Sequence, residues 1–360
     1  MDALMLPLNW QKVRLGDILT LKHGRDYKNF KLGNIPVYGS GGYMLSINNF
    51  LHNGESVCIG RKGTIDKPIY LNGKFWVVDT LFYSYSFKKS IPKFIFYAFS
   101  IIKWSNYNEA TGVPSLTKMT ISNIEIPLPP LNEQIAIANI LSDLDHYLCS
   151  LDALILKKES VKKALSFELL SQRKRLKGFN QAWQRVRLGD IAEIKRGVRI
   201  TKNELDVFGK YPVVSGGVGF LGYTNNFNRY ENTITIAQYG TAGYVNFQKN
   251  KFWANDICFC VYPNKDVIKN IFLYYFLKVN QNYLYEISNR NATPYSISKD
   301  KILDFEILLP PLNEQRAIAN ILSDLDHEII SLKNKKRQFE NIKKALNHDL
   351  MSAKIRVLNK

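Results

Sequence analysis

Asp190, Glu193 and Lys195 combine the carboxylates and the lysine that metal-dependent nucleases use, and they lie within six positions of one another. The two carboxylates are too close in sequence to converge as such a fold arranges them. The chain also holds a second copy of this stretch, in which Thr20 stands in the place of Glu193. A single-chain nuclease or restriction enzyme is therefore an alternative hypothesis and not the preferred one.

A glycine motif lies between Gly217 and Gly222, in the order Gly-Val-Gly-Phe-Leu-Gly that fits dinucleotide-binding loops. The stretch YPVVS before it is a plausible strand, but YTNNFNRY follows it in place of the amphipathic helix that such a site requires. The motif therefore predicts a glycine turn. The sequence contains no N-P-P-[FY] methyltransferase motif, so it shows no chemistry of a self-contained DNA methyltransferase.

Acidic residues and a histidine at helical spacing form a third candidate group. Asp143, Asp145 and His146 place a carboxylate and an imidazole three positions apart, where they share a helix face. The same residue types return at Asp324, Asp326 and His327. Such a set can ligate a metal, but a solvated or partner-contacting face is the more common arrangement. The repetition favours partner contact, although the common ancestry of two copies would also explain it.

These residues belong to an internal repeat that covers most of the chain. The stretch LPPLNEQIAIANILSDLDH at 128–146 returns as LPPLNEQRAIANILSDLDH at 309–327, and the two differ only at Ile135 and Arg316. WQKVRLGDI from Trp10 returns as WQRVRLGDI from Trp183, and shorter matches lie between these two pairs. The chain is therefore a tandem in which a variable segment and a matching segment alternate twice.

Both matching segments have the pattern of long helices. Paired prolines end the preceding extended segment, and Asn132 or Asn313 is placed to cap a helix that opens with Glu-Gln. A 3-4-3-4 spacing of apolar residues then predicts a coiled-coil seam. The seam residues are Leu141, Leu144, Leu148, Leu151, Ile155, Leu165 and Leu169, then Leu322, Leu325, Ile329, Leu332, Phe339, Leu346 and Leu350. About 40 residues at about 1.5 Å each give a helix on the order of 60 Å. Since a lone helix would expose its apolar stripe, the two copies are expected to pack together, antiparallel.

The variable segments are rich in glycine, aromatic and β-branched residues, in short runs such as SVCIG, TITIA and DICFCVY. These runs predict strand-dominated mixed structure, with short helices at KFIFYAFSII and IKNIFLYYFLKV. The predicted fold class is α+β: two similar mixed α/β domains separated by an antiparallel pair of long coiled-coil helices, with internal pseudo-twofold symmetry. The predicted boundaries are 1–126 for the first domain, 127–178 for the central helix, 179–307 for the second domain and 308–360 for the C-terminal helix.

The four cysteines are too scattered for a disulfide framework or a four-ligand zinc site. Cys258 and Cys260 alternate along DICFCVY, so their sulfur atoms are expected on one face of a strand. Both are expected to be buried apolar side chains.

The charge balance favours a polyanionic partner. Lys and Arg number 49 against 31 Asp and Glu, which gives a formal net charge of +18 and a pI near 9.5. Two-thirds of this excess lies in the variable segments. No run approaches the roughly 18 apolar residues of a spanning helix, and the N-terminal MDALMLPLNW has no basic region followed by an apolar one. We therefore expect a cytoplasmic protein that binds nucleic acid and no membrane.

Several motifs mark this order of segments. They are the PLPPLNEQ and LLPPLNEQ helix openings, the W-x-x-V-R-L-G-D-I entry, the P-V-x-G-S-G-G turn at Pro36 to Gly42, and the G-T and F-W-x-x-D patterns. Over essentially all 360 residues, the chain resembles the specificity (S) subunit of type I restriction-modification enzymes. The resemblance implies a non-catalytic subunit whose two target-recognition domains bind a bipartite sequence in double-stranded DNA. A non-catalytic orphan scaffold that binds DNA remains a further alternative.

The resemblance also implies partners. The helices would bind two modification (methyltransferase) subunits, and restriction (motor-nuclease) subunits would join in the full enzyme. S-adenosylmethionine, ATP and Mg²⁺ are then expected on partner subunits and no cofactor on this chain. Matching helix starts suit two copies of one partner. The partner-binding candidates are Asn132, Glu133, Gln134, Asp143, Asp145 and His146, then Asn313, Glu314, Gln315, Asp324, Asp326 and His327.

DNA-contact candidates are Lys and Arg beside Gly, Asn or Tyr in loops. Phosphates attract flexible cations, whereas base edges need Arg, Asn or Gln with fixed geometry. In the first domain the candidates are Arg25, Lys28, Lys31, Arg61 and Lys62. In the second they are Arg196, Arg199, Lys202, Gln238, Tyr239, Arg290 and Asn291.

Overall fold

The computed structural model describes residues 6–291 and 293–358, which divide into two compact units. Unit one comprises the described residues up to Asp152 and from Asn334 onward, and unit two comprises Ala153–Lys333. The predicted segments also include residues 1–5, 292, 359 and 360, which lie outside the described residues. The four predicted segments follow the chain, whereas each compact unit combines one globular domain with parts of both long helices.

Unit one contains the first half of the repeat. Its strands are β1 (Gln11–Arg14), β2 (Thr20–His23), β3 (Leu32–Gly39), β4 (Gly42–Ile47), β5 (His52–Asn53), β6 (Ser56–Gly60), β7 (Ile69–Leu71), β8 (Lys74–Val77), β9 (Leu81–Tyr85) and β10 (Glu125–Leu128). Its helices are α1 (Leu15–Ile18), α2 (Pro92–Ile101), α3 (Lys118–Asn123) and the start of α4 (Leu131–Leu170), with a 3-10 turn at Trp104–Tyr107.

Unit two repeats this order of elements. Its strands are β11 (Gln184–Arg187), β12 (Ala192–Arg196), β13 (Tyr211–Val214), β14 (Phe220–Thr224), β15 (Thr233–Ala237), β16 (Val245–Gln248), β17 (Trp253–Ala254), β18 (Cys258–Pro263) and β19 (Glu306–Leu309). Its helices are α5 (Leu188–Ile191), α6 (Asn270–Val279), α7 (Gln281–Glu286), α8 (Lys299–Leu303) and the start of α9 (Leu312–Met351), with a 3-10 turn at Lys202–Glu204. The internal repeat and the predicted short helices α2 and α6 are confirmed.

Each globular domain is built from three corresponding sheets, of which the last has four strands in unit one and three in unit two. In unit one they have the strand orders β1-β10, β2-β9-β6-β7 and β4-β3-β8-β5, and in unit two the orders β11-β19, β12-β18-β15-β16 and β14-β13-β17. Neighbouring strands are antiparallel except where β3 pairs with β8 and β13 with β17, which run parallel. Strand-dominated mixed structure, as predicted, is therefore confirmed in both domains.

The central strands are apolar on both faces because each face is covered. In unit one, Val57 and Ile59 of β6 join a core that includes α2, while Cys58 between them packs with residues of β8. In unit two, Cys258 and Cys260 lie together in a cluster with Val214 and Phe252. The prediction that these two cysteines are buried on one strand face is confirmed.

The helices α4 and α9 are each 40 residues long, and the predicted seam is confirmed because all of its residues are buried or half-buried. Within unit one, Asp152 pairs with Lys336 at 2.7 Å, and the tilted rings of Tyr147 and Phe339 are in contact, with centroids 4.7 Å apart. From one contact to the next, the residue number rises along α4 and falls along α9. The two helices are therefore antiparallel in this unit.

Unit two shows the same antiparallel pairing. Lys158 pairs with Glu328 at 2.7 Å, and Lys162 pairs with Asp326 at 2.5 Å.

None of the helices within the described residues is both long and apolar enough to cross a membrane.

The predicted helix caps are wrong in detail. Both helices begin one residue earlier than Asn132 and Asn313, so these side chains lie in the first turn. The carboxamide oxygen of Asn132 accepts a hydrogen bond from the Glu133 amide at 3.0 Å, and Asn313 does the same for Glu314 at 2.9 Å. Each asparagine thus accepts from a first-turn amide, a group that has no partner within the helix, although the Glu133 amide also donates to the Pro130 carbonyl at 3.0 Å.

Candidate DNA interface and helix surfaces

Four loops meet beside the turn between β3 and β4 in unit one. The amides of Arg61 and Lys62 donate to the Thr80 carbonyl at 2.8 and 3.3 Å, and the Ser40 amide donates to the Thr80 hydroxyl at 3.3 Å. Lys62 also bridges to Ser115 in the loop before α3. The backbone of each loop is thus fixed by its neighbours, and the cationic side chains extend from a fixed frame.

The loop that leaves β2 joins this group. The Arg25 amide donates to the Val77 carbonyl at 2.9 Å, and the Trp76 indole donates to the Arg25 carbonyl at 2.7 Å. Gly24 permits this approach, since a Cβ there would lie 2.0 Å from a backbone carbonyl oxygen. Lys28 lines an adjoining groove of about 740 Å³. We call residues 25–28, 61–62 and 79–80 the reading loops of unit one.

Unit two repeats this frame with different side chains. Gln238 and Tyr239 occupy the places of Arg61 and Lys62, and the Gln238 amide donates to the Ile257 carbonyl at 2.9 Å. The Trp253 indole donates to the Val198 carbonyl at 2.8 Å and holds the loop that follows β12. We call residues 196–199, 238–239, 256–257 and 290–291 the reading loops of unit two. The backbone positions match, and the groups offered to a ligand differ.

Two arginines complete the reading loops of unit two. The Arg196 guanidinium donates to the Asp256 carbonyl. The Arg290 guanidinium lies over the rings of Tyr285 and Tyr295, 5.5 and 5.7 Å from their centroids. Tyr239 and Asn289 both bridge to Ser296 beside it, and Asn291 follows directly. The predicted candidates Arg196, Gln238, Tyr239, Arg290 and Asn291 are therefore neighbours in space.

Two predicted DNA contacts are not among the reading loops as defined. The Lys31 carbonyl accepts from the Asn48 amide at 3.0 Å, at the end of the β3–β4 hairpin away from its turn. Lys202 lies in a 3-10 turn, in which the Glu204 carboxylate accepts a hydrogen bond from the Thr201 amide at 2.8 Å. Arg199 lies close to the other reading loops, because the amide of the following Ile200 donates to the Asn255 side chain at 3.2 Å. DNA contact by Lys31 and by Lys202 stays a prediction.

The glutamate at each helix start is part of an internal joint. Glu314 has no exposed side-chain surface and accepts two hydrogen bonds from the Arg175 guanidinium, at 2.6 and 3.1 Å. The Trp183 indole donates to the same carboxylate at 3.0 Å. In unit one, Glu133 is held in the same way by Arg356 at 2.6 and 3.0 Å and by the Trp10 indole at 3.1 Å.

The neighbouring glutamine fixes the globular domain to the helix. Gln134 donates to the carbonyls of Lys89 and Pro129 and accepts from the Ile91 amide, at 2.8–3.0 Å. Gln315 makes the equivalent three bonds in unit two. The prediction that the Glu-Gln pairs contact a partner is wrong, because all four side chains are buried and their polar atoms are bonded within the unit. The residues concerned are Glu133, Gln134, Glu314 and Gln315.

Asp145 and Asp326 are also engaged internally. Asp145 accepts from the Tyr97 hydroxyl at 2.8 Å and pairs with Lys343. Asp326 accepts from the Tyr275 hydroxyl at 2.7 Å and pairs with Lys162. Burial, followed by the adjacent carboxylate, raises the pKa of both tyrosines well above the usual value. Each aspartate therefore joins a globular domain to the opposite helix. Because the Asp145 side chain stays 38% exposed and the Asp326 side chain 29% exposed, their contact with a partner stays a prediction.

The remaining candidates lie on one exposed helix face. Asn132, Asp143 and His146 are exposed in α4, as are Asn313, Asp324 and His327 in α9. Sequence reasoning missed two members of each face, although the spacing in the repeat contained them. The complete exposed stripe, which we call the docking stripe after its predicted contact with a partner, is Asn132, Ile135, Asn139, Asp143 and His146 on α4, and Asn313, Arg316, Asn320, Asp324 and His327 on α9. The two stripes differ at one position.

The residues considered for catalysis have structural partners. The Asp190 carboxylate accepts from the Arg187 amide at 3.2 Å, and Glu193 pairs with Lys195 at 3.1 Å on the surface of β12. In the part of the chain that the structure describes, no three His, Cys, Asp or Glu side chains are grouped as metal ligands. The glycine motif leads into strand β14 and not into a helix, so the glycine-turn interpretation is confirmed.

Comparison with known families identifies the family to which the chain belongs. The sequence pattern of the family described as "Type I restriction modification DNA specificity domain" matches residues 7–158 and 180–341. The chain belongs to this family. Both copies of the repeat are matched, so the chain is a two-domain type I specificity protein.

Individual relatives agree with the family match. A putative type I specificity subunit from Mycoplasma pneumoniae is 25% identical over 328 residues, covering 87% of this chain and 88% of the relative. Another from the same organism is 31% identical over 166 residues, so that match spans 44% of each chain. A solved S subunit from M. genitalium has the same fold, with a TM-score of 0.74, 20% identity and 97% of each chain covered.

Proposed function

We propose that this chain reads a two-part sequence in double-stranded DNA for a type I restriction-modification complex and has no catalytic activity of its own. One observation carries the proposal: a single backbone frame presents Arg61 and Lys62 in unit one but Gln238 and Tyr239 in unit two. Guanidinium and carboxamide groups favour different base edges. Two unlike reading groups on one chain therefore support two unlike half-sites.

The proposal gives the helices two tasks. The first is to fix the number of base pairs between the half-sites, and the equal length of α4 and α9 supports this. The second is to bind two modification subunits, and the two docking stripes support it because they carry the same residue types at four of their five positions. S-adenosylmethionine, ATP and Mg²⁺ would be held by partner subunits in the cytoplasm, and restriction subunits would complete the enzyme.

Activity assays test the absence of catalysis. The purified chain is mixed with plasmid and Mg²⁺, and separately with S-adenosylmethionine, in the presence and absence of the modification subunit. We expect adenine methylation at two-part sites only when both proteins are present. Methylation by the chain alone would refute the proposal. Plasmid cleavage by the chain that Glu193→Gln abolishes would instead support the nuclease hypothesis, and DNA binding without methylation in any combination would support an orphan scaffold.

Matched asparagine variants test the docking stripes. Asn139→Lys and Asn320→Lys each add a charge in the middle of one stripe, whereas Asn341→Lys makes the same change at an exposed position of α9 outside the repeated nineteen residues. Light scattering of the purified complex should show one modification subunit in place of two for each stripe variant. The double variant should bind none, and Asn341→Lys should keep both.

A cysteine footprint provides an independent readout. Cys149 is exposed on α4 and lies less than one turn beyond His146 at the end of its stripe. Saturating modification subunit should slow its alkylation at least about tenfold, whereas alkylation at an unchanged rate would place the partner elsewhere.

A further inference from the structure

The β3–β4 and β13–β14 hairpins share an irregularity that the sequence repeat does not reveal. In unit one, Tyr38 pairs with Tyr43 and Val37 pairs with Leu45, so Met44 is an extra residue in β4. Such a bulge turns the extra side chain away from the regular alternation of the strand.

Unit two contains the same bulge at the same place. Val214 pairs with Phe220 and Val213 pairs with Gly222, which leaves Leu221 as the extra residue in β14. Aligned from Gly42 and Gly219, the corresponding segments GYMLSI and GFLGYT share only the first glycine. Despite this, each hairpin places an aromatic residue and then a long aliphatic residue at its bulge.

These side chains are only half covered by their own unit. The exposed fractions are 61% for Tyr43 and 48% for Met44, and 50% for Phe220 and 48% for Leu221. Isolated exposed apolar residues are common on protein surfaces. Two adjacent ones at one structural position in both units, kept through a change of sequence, are better explained by a ligand.

Each bulge lies next to the reading loops. Met44 and Lys28 line the same groove in unit one, and Ser40 in the hairpin turn is hydrogen bonded to Thr80. In unit two, Gly216, which precedes the turn, lies against Tyr239 of the reading loops, since a Cβ at Gly216 would be 2.3 Å from the Tyr239 carbonyl oxygen. An apolar pair therefore adjoins a cationic or polar group in each domain.

We propose that the bulge pairs, Tyr43 with Met44 and Phe220 with Leu221, pack against bases of the half-site that each unit reads. This inference rests on the proposed function. The neighbouring cations favour the phosphates of a duplex, but an apolar pair gains nothing from phosphate. The partners for it in DNA are the thymine methyl group and the face of a partly unstacked base.

Base packing and phosphate contact differ in their dependence on salt. Each phosphate contact contributes about 0.9 to the slope of log affinity against log salt, whereas an apolar contact contributes none. Met44→Ser should therefore weaken binding to the cognate duplex with the slope unchanged, and Lys28→Ala should lower the slope by about one. Met119→Ser is the matched control, because Met119 is 74% exposed on α3.

The experiment uses the full chain with its modification subunits. The probe is a duplex carrying the site found by methylation mapping, with 2-aminopurine in the first half-site, and a scrambled duplex for comparison. We expect Met44→Ser to lower affinity for the cognate duplex about tenfold, as loss of one base-packing contact does. It should also reduce the 2-aminopurine fluorescence change, while Met119→Ser behaves as the wild type. Leu221→Ser should give these effects only with the label in the second half-site.

Each other outcome has a defined meaning. Wild-type affinity and fluorescence for Met44→Ser would overturn the inference and leave the proposed function intact. A changed salt slope for Met44→Ser would show phosphate contact, and loss of a modification subunit would show a protein contact; both overturn it. A wild-type complex that binds no duplex would overturn the proposed function together with this inference.

Discussion

Removal of an arginine should lower the free energy of unfolding much more at a buried ion pair than at an exposed one. The Arg175 side chain is 23% exposed, and its guanidinium faces Glu314, which has no exposed side-chain surface. Arg175→Ala would leave a buried carboxylate with the Trp183 indole as its remaining side-chain donor. Loss of one partner from a buried pair costs about 3–5 kcal/mol, because the other charge stays uncompensated away from water.

The same unit contains a control. Arg185 pairs with Glu306 at 3.0 Å, but the two side chains are 69% and 57% exposed. Exposed pairs contribute about 0–1 kcal/mol because water screens them. Arg185→Ala should therefore change the free energy of unfolding very little.

Urea unfolding followed by circular dichroism compares the two variants. With an m value of about 2 kcal/mol per molar, Arg175→Ala should lower the midpoint of unit two by about 1.5–2.5 M. Arg185→Ala should lower it by less than about 0.5 M. Equal midpoints for the two variants would refute the assignment of Glu314 to a buried joint, and would return it to the set of partner contacts.

Further predictions concern reactivity, pH and packing. In the native protein, iodoacetamide should modify Cys149 at once and Cys58 only after unfolding, since burial raises the pKa of the Cys58 thiol to about 12 and keeps it from the reagent. Burial, followed by a nearby lysine, lowers the pKa of His52 below 6.5. As the pH falls, the imidazole of His52 is therefore protonated in the unfolded chain before it is protonated in the folded one. The contribution of His52 to stability is present above pH 6.5 and is lost as the pH falls toward the folded pKa. His52→Phe should flatten this part of a plot of urea midpoint against pH. Gly197→Ala should lower the thermal midpoint and Gly219→Ala should not, because a Cβ at the first meets a backbone oxygen at 2.0 Å and at the second meets nothing within 4 Å.

The periodic features of this fold could be predicted from the sequence. The leucine spacing identified both long helices and their antiparallel pairing, because an apolar stripe of that length requires a matching one. Alternation along DICFCVY placed Cys258 and Cys260 on one covered face. These patterns are local, and a local pattern determines which side of an element is buried.

The role of the repeated Glu-Gln pairs could not be predicted. Repetition suits both a partner contact and a joint inside each unit, and the residues that decide between them are distant in the chain. Trp10 lies 123 positions from Glu133, and Arg356 lies 223 positions from it. The exposed stripe on each helix can be told from the buried Glu-Gln pair only when these distant contacts are known.

The bulge pairs were missed for a related reason. A bulge depends on the register between two strands, and a shift of one residue moves a side chain to the other face. GYMLSI and FLGYT alone do not reveal that Met44 and Leu221 are structurally equivalent.

Methylation mapping of half-site variants tests the central claim most directly. The host gene is replaced with Arg61→Ala combined with Lys62→Ala, or with Gln238→Ala combined with Tyr239→Ala, and the methylated sites are sequenced. Each double variant should relax or abolish recognition of a different half of the two-part site and leave the other half and the spacer unchanged. Loss of specificity in the same half for both variants, or methylation at sites without two parts, would contradict the account.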